Sequence, residues 1–274
     1  MARPRLSRLA AAAAAALVAA GPASAGADPD PVPADRLQHD PWEPLNRRTF
    51  WLNEQIDRFA LEPLAIGWDF VLPDRVQISL RGVYDHLRLP VIAANDALQL
   101  KPVAVAEDIG RFAINTLWGL MGIWDAAAMV GLEANDEDFG QTLGYWGVPP
   151  GPYLVLPLFG PSSPRDTLGL GGDAGIGYGA WFAAGIPIFA TASMTVVDVV
   201  NRRSLLLDEI RAEREAAFDW YVFVRNAYLQ NRERRVQDLL EEDGGDDLEE
   251  DLYEVDEESD EDDLYEVDDE DGGV

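Results

Sequence analysis

The side chains able to carry acid–base, nucleophilic or metal chemistry are few. The 274 residues hold two histidines, His39 and His86, and no cysteine. Without cysteine there is no thiol nucleophile, no thiolate metal ligand and no disulfide. His39 stands beside Asp40 in a Pro/Asp-rich stretch, and His86 reads as a surface residue on the polar side of a helix. Ser162 and Ser163 sit in a proline-rich turn with no histidine near them in sequence. No G-x-S-x-G elbow, H-E-x-x-H pair or phosphate-cradling glycine loop occurs. Neighbouring carboxylates such as Glu137 and Asp138 are too common to mark an acid and a base. No catalytic residue, metal site or cofactor is expected, and the chemistry left is that of binding.

The elements around these residues are unevenly charged. The net charge is -29, but 22 of the acids lie from Asp238 onward, where there is no Lys or Arg. The remaining 237 residues carry 28 acids against 21 bases, an ordinary globular balance. No basic surface for nucleic acid is expected. The tail repeats itself, DLYEVDEE at 251–258 and DLYEVDDE at 263–270. So much like charge predicts a disordered, solvated tail over residues 239–274. Its spaced aromatic and aliphatic positions leave open a docking role. At the other end, Arg3, Arg5 and Arg8 precede an apolar run, Leu9 to Ala20, and Ala23-Ser24-Ala25 fits a cleavage site. Residues 1–25 are thus expected to be a secretory signal peptide and 26–39 a linker.

Between linker and tail the pattern is helical. Asp40, Pro41 and Glu43 form a helix start, and Trp42, Leu45, Leu52, Ile56 and Phe59 make one apolar stripe, read as core-facing. Residues 74–90 predict a second amphipathic helix, 91–98 a short helical piece, and 103–118 another helix. Ile123–Leu132 reads as a short helix, and 203–217 and 219–240 as two late ones. Two uncharged runs interrupt this. Gly140–Pro164 has 25 residues with six prolines and five glycines, which forbid a continuous helix and allow only short extended pieces. Ala174–Val197 has the length of a membrane span, but its glycines and Pro187 argue against a straight helix. A bent interfacial arrangement and a buried helical hairpin are both open for it.

Four blocks carry a resemblance: DPWEPLNRRTFWLNEQIDRF, RFAINTLWGLMGIWDAA, DFGQTLGYWGVPPGPYLVLPLFGPSSPRD and DWYVFVRNAYLQNR. In order and spacing they resemble the MlaA/VacJ family of the Gram-negative outer membrane, over residues 40–238. The resemblance implies a mainly α fold: a ring of amphipathic helices with irregular Pro/Gly-rich apolar segments. That ring would lie in the inner leaflet of the outer membrane around a polar channel, with Gly140–Pro164 at its inner wall or rim. The implied function is non-enzymatic intermembrane phospholipid transport. Phospholipids mislocalised in the outer leaflet would pass to a periplasmic carrier, maintaining lipid asymmetry. A trimeric porin is the implied membrane partner.

Residues in the matching blocks are the site candidates. Arg111, Asn115, Thr116, Asp125, Arg165, Asp166, Arg225 and Asn226 are candidates for channel or headgroup contact. For Arg165 a structural ion pair with Asp166 is equally open. Asn46, Phe50 and Asn53 are candidates for channel gating, against plain packing and capping roles. Two departures stand out: family members are lipoproteins with a cysteine at the cleavage site, and the acidic tail lies outside the shared region. Localisation is therefore expected at the periplasmic side of the outer membrane after export, without a cysteine-linked lipid. The competing readings are a lipid hydrolase or acyltransferase using Ser162 or Ser163, and a porin-associated scaffold.

Overall fold

The structure is a computed structural model that describes residues 40–237. The expected signal peptide, linker and acidic tail lie outside the described residues. Helices dominate. α1 spans Glu43–Ile56 and passes through a widened π-type turn, Asp57–Leu61, into α2, Glu62–Val71. α3 spans Asp74–Leu98 and α4 Pro102–Leu117. A loop with a single 3₁₀ turn, Ala128–Val130, leads to the short α5, Phe139–Tyr145. β1, Leu154–Leu156, and β2, Gly160–Ser162, form an antiparallel hairpin with Val155 opposite Pro161. α6, Pro164–Ala183, and α7, Ile188–Leu205, form a helical hairpin, followed by α8, Leu207–Ala216, and α9 over residues 220–237.

Several local expectations are corrected. α1 begins at Glu43, because Asp40 Oδ1 accepts from Trp42 N and from the Asn46 side chain instead of capping at Pro41. α3 is one helix through Pro90, not two pieces. An interior proline costs a backbone hydrogen bond. In the turn it loosens, the Trp181 indole of α6 donates to Leu87 O at 3.0 Å. The short helix expected over Ile123–Leu132 shrinks to the 3₁₀ turn. Residues 203–205 belong to α7, because the chain breaks at Leu206 (φ -110°). The run Ala174–Val197 resolves as a hairpin turning at Gly185, whose φ of +82° suits glycine. No helix among the described residues is long and apolar enough to cross a membrane.

The packing is inverted relative to a water-soluble domain. The apolar stripe of α1 was expected to face a core, yet Trp42, Leu45, Leu52, Ile56 and Phe59 are all exposed, Phe59 at 73%. Phe70, Met129, Trp118 and Phe189 are also outward-facing. The buried side chains are mostly polar: Gln77, Asn95 and Asp96 on α3 and Gln99 just after it, Asp108 and Arg111 on α4, and Asn201 and Arg203 on α7. A small apolar core does form where Tyr153, Val155, Tyr221 and Tyr228 meet, with Phe50 packed against it. So many large apolar side chains facing outward point to a membrane or partner surface. The expected mainly α architecture with irregular Pro/Gly-rich segments and a polar centre is what the structure has.

Close backbone approaches hold the frame. α5 lies on α6, and a Cβ on Gly169 would come within 2.5 Å of Gly140 N. α3 meets the loop after α4 in the same way, since a Cβ on Gly82 would sit 2.2 Å from Gly122 O. Leu120, Met121 and Gly122 are successive left-handed residues in that loop. Two of them are not glycine, so the tight turn carries backbone strain.

Candidate functional site

The polar interior opens into a cavity of roughly 590 Å³. That is within the range of about 300–1,000 Å³ common for small-ligand sites. α3 lines it with Asp85, His86 and Arg88, and α4 with Glu107, Arg111 and Asn115. The loop before α5 adds Asp125 and the run Glu133–Glu137, and α9 adds Asn231, Arg234 and Arg235. The spacing explains the contributions. Residues 107, 111 and 115 recur at helical period on one face of α4, and 231, 234 and 235 do so on α9.

Three candidates, Arg111, Asn115 and Asp125, come together on the cavity wall, whereas Thr116, next to Asn115 on α4, is not among the lining residues. Arg111 Nη2 donates to Asp125 Oδ2 at 2.9 Å, and its Nη1 donates to Leu132 O. Asn115 Nδ2 donates to Asp125 Oδ1 at 3.1 Å, and its Oδ1 accepts from Ala127 N at 2.9 Å. These bonds staple the glycine-rich loop to α4. Burial alone would raise the Asp125 carboxyl, but the Asn115 and Arg111 hydrogen bonds outweigh it and hold it below the usual range. Thr116 Oγ1 donates to Phe112 O at 2.6 Å and lies 3.2 Å from His86 Nε2. His86 is buried, not on the surface as expected, and its ring stacks on Phe112 at 4.7 Å. Burial lowers its pKa, favouring the neutral ring.

Arg165, Asp166, Arg225 and Asn226 are not among the cavity-lining residues. Arg165 Nε is 3.2 Å from Asp166 Oδ1, the ion-paired arrangement. Asp166 also accepts from Arg232 at 2.7 Å and from the Tyr228 hydroxyl. Arg232 in turn reaches Asp138 Oδ1 at 3.0 Å, tying α5, α6 and α9 together. Burial would raise both carboxyls, but Arg232 pulls Asp138 and Asp166 below the ordinary range. Arg225 Nε donates to Asn226 Oδ1 at 3.4 Å. Ser163 is the N-cap of α6, accepting from Asp166 N at 3.1 Å, and Ser162 Oγ lies 3.0 Å from Thr167 Oγ1. Both hydroxyls are engaged locally.

The third group lies on α1. Asn46 Nδ2 donates to Tyr153 O at 3.0 Å and its Oδ1 accepts from Val155 N at 3.0 Å. Asn53 does the same with Leu156 O and Leu158 N, both at 2.9 Å. Phe50 lies between them, edge-on to Tyr221 at 5.4 Å.

Sequence reasoning missed the carboxylates at and behind the cavity wall. Asp96 and Asp108 are fully buried and share a hydrogen bond. Burial first, then the Asp96 neighbour, pushes the Asp108 carboxyl up to about 8. Glu137 accepts from Gln99 Nε2 at 3.0 Å, and burial pushes it up to about 8 as well. Asp173, half-buried beside Asn95, is pushed up to about 6, chiefly by desolvation. The signal was a polar stripe of His86, Asn95, Asp96 and Gln99 on a helix whose other face is apolar.

Comparison with known proteins follows this geometry closely. Residues 38–235 match the MlaA lipoprotein family. A Haemophilus influenzae protein named intermembrane phospholipid transport system lipoprotein MlaA is 35% identical over 204 residues, covering 73% of this chain and 80% of that one. Its Escherichia coli namesake is 30% identical, covering 77% and 81%. The chain spans about half (51%) of another relative, an uncharacterized protein of Rickettsia typhi, at 38% identity and 47% coverage of this chain. A solved structure, described as the structural basis for maintenance of bacterial outer membrane lipid asymmetry, aligns with TM-score 0.63 and 30% identity. The alignment covers 72% of this chain and 99% of that one. The polar interior, the outward apolar face and these alignments over most of the described residues lead to one assignment: the chain belongs to the MlaA lipoprotein family.

Proposed function

We infer that this protein is a component of intermembrane phospholipid transport that maintains the lipid asymmetry of the outer membrane. The observation that carries the reading is a charged, water-accessible cavity inside a shell whose apolar side chains face outward. The relatives named for phospholipid transport support it. A phospholipid leaving a bilayer must expose two acyl chains, which costs on the order of 20 kcal/mol at about 0.8 kcal/mol per CH₂. Its headgroup crosses hydrocarbon only at a high desolvation cost. A polar passage bordered by apolar surface removes both obstacles, and no covalent step is required.

In this proposal the helices lie as a ring in the inner leaflet of the outer membrane, attached through Trp51, Phe59, Phe70 and the other outward apolar residues. The headgroup crosses by way of the cavity, and Arg111, Asn115 and Asp125 shape its wall. A periplasmic carrier receives the lipid, and a trimeric porin stands beside the ring. Asn46, Phe50 and Asn53 act on the passage indirectly, by fixing the hairpin against α1.

The test is transfer of labelled phospholipid from bilayers containing the purified full-length protein to an acceptor. Intact lipid in the acceptor supports the reading. Release of free fatty acid or lysolipid supports a hydrolase instead. Absence of transfer, with normal outer-leaflet phospholipid in cells lacking the protein, leaves only a scaffold.

A further inference from the structure

Most charges around the cavity cancel one another within the protein. Arg88 and Arg235 both reach Asp136, at 3.0 and 3.2 Å. Arg111 reaches Asp125 at 2.9 Å, and Asp85 is held by Arg202 at 2.6 Å. Lys101 Nζ stands 4.0 Å from Glu137. Three lining charges remain outside every ion pair among the described residues: Glu107 on α4, Glu133 in the loop before α5 and Arg234 on α9. Arg234 Nε is buried without a hydrogen-bond partner. Glu107 and Arg234 have opposite signs, belong to different walls of the same cavity and stand on helices, whereas Glu133 is on a loop.

We propose that Glu107 and Arg234 make the cavity selective for zwitterionic headgroups, which carry a phosphate and an ammonium group, over purely anionic ones. The proposal rests on the cavity being the phospholipid path. A guanidinium offers a phosphate a planar, charge-assisted set of donors. A carboxylate facing the same water attracts an ammonium and repels a second anion. Glu107 shares the cavity face of α4 with Arg111, one turn away, so a bound headgroup meets it without displacing an existing pair. An anionic headgroup satisfies Arg234 equally well but leaves Glu107 unmatched. Discrimination therefore comes mainly from Glu107, with the loop carboxylate of Glu133 acting in the same sense, and affinity for either class from Arg234.

The experiment equilibrates the purified full-length protein with vesicles of equal parts phosphatidylethanolamine and phosphatidylglycerol. The phospholipid that survives detergent delipidation of the re-isolated protein is then measured by mass spectrometry. The expected result is an enrichment of phosphatidylethanolamine of about fivefold, the size of one solvent-accessible ion pair. Glu107→Lys should turn the preference towards phosphatidylglycerol, and Glu107→Gln should bring the ratio near that of the vesicle. Arg234→Gln should lower retention of both lipids without changing the circular dichroism. Glu107 is exposed, so its replacement leaves the packing intact. Retention in the vesicle ratio, or a Glu107→Lys ratio equal to that of the unaltered protein, overturns the proposal while leaving transport standing. No retained phospholipid at all overturns the transport reading, and the selectivity with it.

Discussion

Asn46 and Asn53, two helical turns apart on α1, each hold one carbonyl and one N–H on the outer edge of the hairpin strand. A helix thereby takes the place of a third strand, with side-chain amides in place of a ladder. A two-stranded hairpin is marginal by itself, so α1 is what keeps it in register. Asn46→Ala leaves Tyr153 O and Val155 N buried and bare, and should lower stability by about 2–3 kcal/mol. Asn53→Ala, half-buried, should cost about 1 kcal/mol. Asn46→Asp keeps the acceptor but faces Asp40 and Tyr153 O with a carboxylate, and should be no better than alanine. Denaturant midpoints of the three variants check the order.

Acid and base should act on this fold in opposite senses. Asp108 and Glu137 rise from 3.8 and 4.5 to about 8 on folding. The native state therefore holds protons there that the unfolded chain has released between roughly pH 4 and 8. Stability from these groups is full below pH 4 and is lost as pH rises towards 8. Asp138 and Asp166 shift down and work the other way, losing their contribution as pH falls through the acid range. Thermal midpoints should peak on the acid side of neutrality. Glu137→Gln and Asp108→Asn should flatten the decline between pH 6 and 8.

Arg232 is buried between two carboxylates. Arg232→Met leaves Asp138 and Asp166 without their main counter-charge and should cost about 3–5 kcal/mol. Arg165→Ala and Asp166→Ala should resemble each other, both acting through protein level. Measuring abundance and outer-leaflet phospholipid together distinguishes this from a headgroup contact. In that case Arg165→Ala alone would disturb the lipids at normal abundance.

Two glycines on neighbouring helices predict opposite outcomes. In Gly82→Ala the new methyl meets Gly122 O at 2.2 Å, a backbone atom that cannot rotate away. The strained loop after α4 must shift, and both stability and transport should fall. Gly67, exposed on α2, has nothing within 4 Å of an added Cβ. Gly67→Ala should stabilise by about 0.5–1 kcal/mol through helix propensity. Calorimetry of the pair checks the contrast.

Local pattern carried the helices well and their facing badly. The periodic stripes on α1 and α4 gave element type and approximate ends, and the run from Gly140 to Pro164 was legible as irregular because its prolines and glycines act locally. Direction was not legible. The stripe of Trp42, Leu45 and Phe59 has the same period whether it meets a core or a lipid, and only tertiary packing decides. The site was half legible. Arg111, Asn115 and Asp125 lay in one recognisable block, whereas Asp96, Asp108, Glu137 and Arg234 meet only because α3, α4 and α9 fold around a common space. The break at Leu206 was hidden because the charged periodicity runs on through it.

Large apolar side chains such as Phe70 and Met129 remain outward-facing in the native state. Unfolding the protein in water therefore uncovers less fresh hydrocarbon than unfolding a globular domain of equal length. Since exposed hydrocarbon is what raises the heat capacity of a denatured chain, the increment should fall short of the usual value of about 12–15 cal/mol/K per residue. The stability curve flattens accordingly, so temperature alone becomes a weak lever on a fold whose polarity runs outside in.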